Sequence, residues 1–310
     1  MNKVDYLVIA DSKDFTSDYI TIELNKRNKN YLRINRDNFN SYEIEWDVLN
    51  EVLKIGIQDT IYVINKDLKG VYYRAPVYIR YYSQSNYEEQ LYKSQWMAFV
   101  KNIICFENAK WINNPVDTYK AENKMLQLKY AKELGFLVPK TVVINSSSPL
   151  INEEKLYAVK SIDTLFLRNG EEECFLYTNT LSGENINNAE LRLAPLTIQE
   201  LITPKIDLRI TVIENNVYSV KIIKNDNGIK DDWRKEKEDV KFIPINIPKE
   251  IENKCIKLIQ KLGLKYGAID MAICNNNYYF IEINPTGEWA WLVETAKLPI
   301  YKSIVNVLTE

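Results

Sequence analysis

The segment Gly267 to Asn284, GAIDMAICNNNYYFIEIN, constrains the fold more than any other part of this chain. Two apolar runs flank three asparagines, the pattern of an antiparallel hairpin. With Asn275, Asn276 and Asn277 as the loop, residues mirror about Asn276, and Asp270 stands opposite Glu282. Directly opposed side chains have Cβ atoms roughly 4.5–5.5 Å apart, a distance at which like charges repel. Asn284 shares the face of Glu282, because strand side chains alternate. Two carboxylates and an amide oxygen therefore converge, in a setting made apolar by Ile269, Ala272, Ile281 and Ile283. A solvated hairpin face would tolerate such a pair, whereas a hard divalent cation would use it. The Pro285 to Gly287 turn that follows, in place of a polar tail, favours the cation.

Composition narrows the chemistry further. The chain has no histidine, which removes imidazole bases, Ser-His-Asp triads and most catalytic zinc sites. Carboxylates, Lys, Arg, Tyr and a cation such as magnesium remain. Its four cysteines (Cys105, Cys174, Cys255 and Cys274) are scattered without a C-x-x-C pair, which speaks against a disulfide scaffold or structural zinc and fits a cytoplasmic location. A net charge of −2 argues against a general nucleic-acid binder. No apolar run reaches the roughly 18 residues of a membrane helix, and the N-terminus does not read as a secretory signal. At 310 residues, with 46% hydrophobic content, there is material for about two domains with real cores.

The element order is that of a mixed α/β chain. Residues 5–10, the helical pattern of 16–30 and residues 31–35 predict a βαβ opening, with Thr16 or Ser17 as N-cap. It lacks the G-x-G-x-x-G of a dinucleotide site. Residues 60–65 and 70–76 read as strands and 86–106 as an amphipathic helix. The INNP turn at 112–115 marks a boundary. Beyond it, one long helix is expected from Asp117, an N-cap, to a stop at Gly135, with Met125, Leu128 and Ala131 on one face. Strands FLVPKTVVI and LYAVKSI follow, then a polar stretch at 165–195 expected to form a hairpin and a mobile segment. Two strands around an Asn-Asn turn (DLRITVIENNVYSVKII) precede a helix that buries Ile251, Cys255, Leu258, Ile259 and Leu262.

Four segments in order resemble the ATP-grasp ligases: KAENKMLQLKYAKELGFLVPKT, YAVKS, QELITPKIDLRITV and the acidic hairpin. Together they cover roughly residues 112–294. The N-terminal DFTSDYITIELNKRNKNYLRIN and GVYYRAP, with IQELITPKIDLR, DDWR and EINPTGEWAWLVE, resemble the graspetide synthetases, microviridin-type macrocyclases of ribosomal peptides. YYRAP carries one arginine where that family often has two. The resemblance implies an ATP-grasp fold in three parts. These are an N-terminal pre-ATP-grasp domain (1–113), a central subdomain (114–197) with a leader-peptide segment at 165–195, and a C-terminal subdomain (198–310). The latter two would sandwich ATP.

The resemblance also assigns roles. Asp270, Glu282 and Asn284 would hold Mg²⁺. Lys160 would grip the phosphates, a task suited to a compact point charge, although an edge-strand lysine also blocks aggregation. Lys124 is either a second phosphate ligand or solvated surface. Glu200, Leu201 and Ile202 would form the adenine hinge. Asp207 would hold the ribose, or be a turn residue after Pro204. Arg209 would clamp phosphoryl oxygens in the transition state, or simply pair with Asp207. Arg234 in DDWR is a second clamp or part of a charged loop. Arg74 contacts substrate or bridges domains. Trp289 and Trp291 pack the end of the domain, with a secondary role in shaping an acceptor pocket. The implied activity is ATP- and Mg²⁺-dependent activation of Asp or Glu side chains of a leader-bearing precursor peptide, closing ω-ester or ω-amide rings. No general base is assigned, and a homodimer is the implied assembly. The alternatives are a ligase for free amino acids or a protein C-terminus, and a nucleotide-binding regulator without turnover.

Overall fold

The computed structural model describes residues 1–74, 86–163, 166–169, 172–175, 177–229, 233 and 239–310. The N-terminal part opens as expected. Strands Tyr6–Ala10 and Tyr31–Asn35 pair in parallel across helix Phe15–Lys26, and Gly70–Tyr73 and Lys110–Ile112 extend the sheet on the other side. The helix is capped by Asp14 and not by Thr16 or Ser17: its carboxylate accepts from the Ser17 amide at 3.2 Å. The helix starts at Phe15, so Thr16 and Ser17 already lie in its first turn and are buried. A second sheet joins Asn2–Lys3, Thr60–Ile64, Val52–Ile57 and Tyr42–Asp47. Residues 42–57 carry no strand prediction above, although YEIEWD alternates in burial along its length.

The expected long helix is two helices, Pro115–Ala121 and Lys124–Glu133. Asn114, with Pro115 in the first turn, caps the first: its side chain accepts from Val116 N at 2.9 Å. Gln127 holds the break. Its Nε2 donates back to Ala121 O at 2.6 Å and its Oε1 accepts from Ile283 N at 3.0 Å. The buried face is accordingly Gln127 and Ala131, while Met125 is exposed. Gly135, at φ +79°, ends the second helix as expected. The break matters for the site because it sets Lys124 at a helix start facing the acidic hairpin.

Strands Asn179–Ser182, Leu156–Lys160, Leu196–Glu200 and Thr141–Ile144 form a central antiparallel sheet in that order, and Phe166–Asn169 and Glu172–Phe175 form a separate two-stranded ribbon. A five-stranded antiparallel sheet follows: Val240–Pro244, Asn216–Lys224, Ile206–Ile213, Tyr266–Cys274 and Asn277–Asn284. Its first tight turn falls one residue early, at Glu214–Asn215, since Ile213 pairs with Asn216. Helices Lys124–Glu133 and Lys249–Lys261 cover one face of this sheet. Ala131, Cys255, Leu258, Ile259 and Leu262 pack on Leu208, Ile210, Val212, Phe280 and Ile283. Period-2 alternation then sends the intervening polar residues to the opposite face. The C-terminal helix, Ile300–Thr309, returns to the N-terminal parallel sheet, where Ile304 and Leu308 share a core with Tyr6, Ile20, Tyr72 and Trp289. No helix among the described residues is long and apolar enough to cross a membrane.

Candidate active site

The acidic hairpin reaches the expected pairing by a different route. Its loop is the two residues Asn275 and Asn276, with Cys274 opposite Asn277. Both loop residues have positive φ, 48° and 62°, as a type I′ turn requires. A two-residue loop alone would pair Asp270 with Ile281 and turn Glu282 into the core. A bulge prevents this: Met271 faces Phe280 whereas Asp270 faces Glu282, leaving Ile281 as the extra residue. In a bulge two consecutive residues oppose one. Ile281 and Glu282 thus both line a cleft, while Phe280 and Ile283 on either side are buried in the core.

That cleft, of about 490 Å³, lies between the central sheet and the polar face of the five-stranded sheet. Lys124, Lys160, Glu200, Leu201, Ile202, Asp207, Arg209, Asp270, Glu282 and Asn284 all line it, so ten of the residues singled out in the sequence meet in one place. Each of its cations has a partner. Arg209 pairs with its cross-strand neighbour Asp270, through Nη1 to Oδ1 at 2.9 Å and to Oδ2 at 3.0 Å. Its partner is therefore Asp270 and not Asp207. Burial alone would lower the pKa of this guanidinium, but Asp270, Tyr266 and Glu282 outweigh it and the net shift is upward. Arg209 is a fixed charge, 7% exposed, with its Nε buried and unbonded. Lys124 Nζ meets Glu282 Oε2 at 3.0 Å. Lys160 Nζ donates to Gln199 Oε1 at 2.8 Å, and Gln199 is itself held by Thr141 at 3.0 Å. Lys205 donates to Asp207 Oδ1 at 2.6 Å.

The NPTGE turn after the hairpin is shaped around Arg209. Arg209 Nη2 donates to Glu288 O at 3.2 Å. A Cβ on Gly287 would stand 2.8 Å from that same Nη2 and 2.6 Å from the Ala268 Cβ, so position 287 admits only glycine without displacement. Tyr266, whose phenol burial pushes up to about 12, donates to Gly287 O at 2.7 Å. Asn113, from the INNP turn, is 2% exposed and donates to Tyr266 O and Pro285 O at 2.9 and 2.8 Å. The sequence reading gave Gly287 and Asn113 only turn positions, and gave Gln199, Lys205 and Trp233 no role. All five stand inside segments quoted for their neighbours, which is the signal that could have found them.

Two expected site residues, Arg74 and Trp289, lie elsewhere. Arg74 is outside the cleft lining. Its side chain, 8% exposed, donates to Asp14, to Thr286 O at 2.8 Å and to Glu288, so it bridges the parallel sheet to the NPTGE turn. Trp289 is fully buried, with its indole nitrogen 3.3 Å from the Tyr72 hydroxyl, and does not touch the cleft. Trp291 lines it instead, packed on Phe242 and Trp233 with ring centres 4.6 and 5.7 Å away. Arg234 lies outside the described residues.

No protein-family model matches the sequence, and no curated protein does. Solved structures match over nearly its whole length. The macrocyclase MdnC of Microcystis aeruginosa MRC, bound with precursor peptide MdnA, is 24% identical with a TM-score of 0.83, covering 98% of each chain. A Chryseobacterium gregarium RiPP-associated ATP-grasp ligase, in complex with ADP and a leader and core peptide, is 26% identical with a TM-score of 0.81, covering 99% of this chain and 96% of that one. The chain has the ATP-grasp fold. A third ATP-grasp ligase, PsnB, complexed with a phosphomimetic variant of its minimal precursor, Mg and ADP, aligns at a TM-score of 0.76 and 17% identity, covering 99% of this chain and 98% of that one. The likeness thus spans the N-terminal sheets as well as the ATP-grasp cleft, in line with the resemblance to graspetide synthetases read from the sequence.

Proposed function

We propose that this chain is an ATP- and Mg²⁺-dependent ligase that activates Asp or Glu side chains of a ribosomal precursor peptide as acyl phosphates and closes ω-ester or ω-amide rings. The cleft carries the reading: the apolar Leu201 and Ile202, the cations Lys124, Lys160 and Arg209, and the hairpin residues Asp270, Glu282 and Asn284 line one cavity. The donor set Asp270, Glu282 and Asn284 offers only oxygen to a cation, which fits magnesium. These residues would hold it, and it would neutralise charge on the phosphates. Lys160 would bind phosphate oxygens, Asp207 the ribose and Glu200 to Ile202 the adenine edge. Catalysis would come from positioning and charge neutralisation, with Arg209 orienting Asp270 and facing the reacting phosphoryl group. Arg234 remains proposed as a second clamp.

The peptide substrate is inferred from the likeness to the Chryseobacterium gregarium ligase, which holds a leader and core peptide beside ADP. The same reading takes 1–113, 114–197 and 198–310 as the three functional parts, with 165–195 receiving the leader. It also takes the protein to be a homodimer in the cytoplasm, without nucleic-acid or membrane partners. Mixing the chain with ATP, Mg²⁺ and a leader-bearing precursor peptide tests the proposal. ADP release with loss of one water per bond from the peptide is expected. Nucleotide binding without ADP release would instead favour a regulator.

A further inference from the structure

The ligase reading, on which this inference rests, leaves unassigned the group that takes the proton of the attacking nucleophile. Five carboxylates line the cleft among the described residues: Glu200, Asp207, Asp270, Glu282 and Glu288. Glu200 ends the hinge strand. Asp207, Asp270 and Glu282 are each closed off by a cation, respectively Lys205, Arg209 and Lys124. Glu288 differs. Its side chain is 61% exposed, yet it is gripped from behind: Arg74 Nη2 donates to Oε1 and Thr16 Oγ1 to Oε2. Arg74 is in turn anchored to Asp14 at 3.3 Å. A carboxylate accepts about four hydrogen bonds, so among the described residues two lone-pair positions stay open. The backbone carbonyl of the same residue accepts from Arg209 at 3.2 Å, which sets Glu288 next to the guanidinium beside Asp270.

The geometry points to Glu288 as the general base of the second half-reaction. The nucleophile, a hydroxyl or a free amine of the peptide, forms the new C–O or C–N bond with its lone pair. The acyl C–O bond to phosphorus breaks and phosphate leaves with that electron pair. The nucleophile's proton passes to an open lone pair of the Glu288 carboxylate. Arg74 and Thr16 hold the base in register, as a third group orients the base in other nucleophilic sites.

Hydroxylamine separates this role from a structural one, because it is a free, reactive nucleophile at neutral pH and traps acyl phosphates as hydroxamates without a positioned base. The experiment uses the full chain with ATP, Mg²⁺, the precursor peptide and added hydroxylamine, and reads ring product and peptide hydroxamate by mass. Glu288→Gln keeps an acceptor oxygen for Arg74 and offers an amide N–H to the Thr16 hydroxyl, which can accept, but it cannot take a proton. The ratio of ring to hydroxamate is expected to fall about 100-fold or more, the usual span of general-base catalysis. Thr16→Val, which leaves the carboxylate in place, is expected to shift that ratio by less than about tenfold. An unchanged ratio in Glu288→Gln overturns the inference, and so does a loss of both products in equal measure. If the unaltered chain yields neither ADP nor hydroxamate, the ligase reading itself fails.

Discussion

The two walls of the cleft are built differently. The five-stranded sheet rests on a core of fifteen buried residues, and its functional side chains are locked by cross-strand register and ion pairs. Among the described residues, the central sheet rests on four, Ile151, Ile186, Leu191 and Ile198, and its strands are largely half-buried or exposed. Local opening is easiest where few apolar contacts are buried. One wall is therefore a fixed platform for charge, and the other is a cover light enough to move over a ligand.

Substitutions on the two walls can break this contrast. Arg209→Ala should have the largest effect, since it strips a buried partner from Asp270. Roughly 3–5 kcal/mol of stability should be lost, read by denaturant unfolding, together with ADP formation. An effect on activity alone would show that the platform is not locked as described. Glu282→Gln should lower peptide-dependent ADP formation about 10²- to 10³-fold, the scale of removing one charge-stabilising group, with little change in melting temperature. Leu258→Ala, under the platform, should cost about 2–5 kcal/mol, while Ile198→Ala should fall at the low end of that range; equal losses would erase the difference between the walls. Lys160→Ala, on the cover, should raise the KM for ATP about tenfold, equivalent to about 1.4 kcal/mol of binding, and change stability by about 1 kcal/mol or less.

The same contrast governs what could be read from the sequence. On the platform, alternation fixes which side chains share a face, so Asp270, Glu282 and Asn284 were legible as a set, while Asp207 and Arg209 joined them only through the family resemblance. Even there, the mirror argument succeeded through two compensating features, a shorter loop and a bulge at Ile281. Neither leaves a signal beyond the turn preference of asparagine. Contacts between distant segments were not legible. Nothing local tells that Asn113 would bind Tyr266 and Pro285, that Gln127 would hold a helix break, or that Arg74 would reach Glu288. The exchange between Trp289 and Trp291 has the same origin. Two residues apart around a helix start, they point to opposite sides, one into the core with Tyr72 and the other to the cleft with Phe242.

The mass of the precursor peptide after reaction with the chain, ATP and Mg²⁺ tests the central claim most directly. The account predicts a loss of one water for each bond formed, with one ADP released per bond. A peptide that gains mass by ligation of a free amino acid, or that stays unchanged while ADP accumulates, would contradict it.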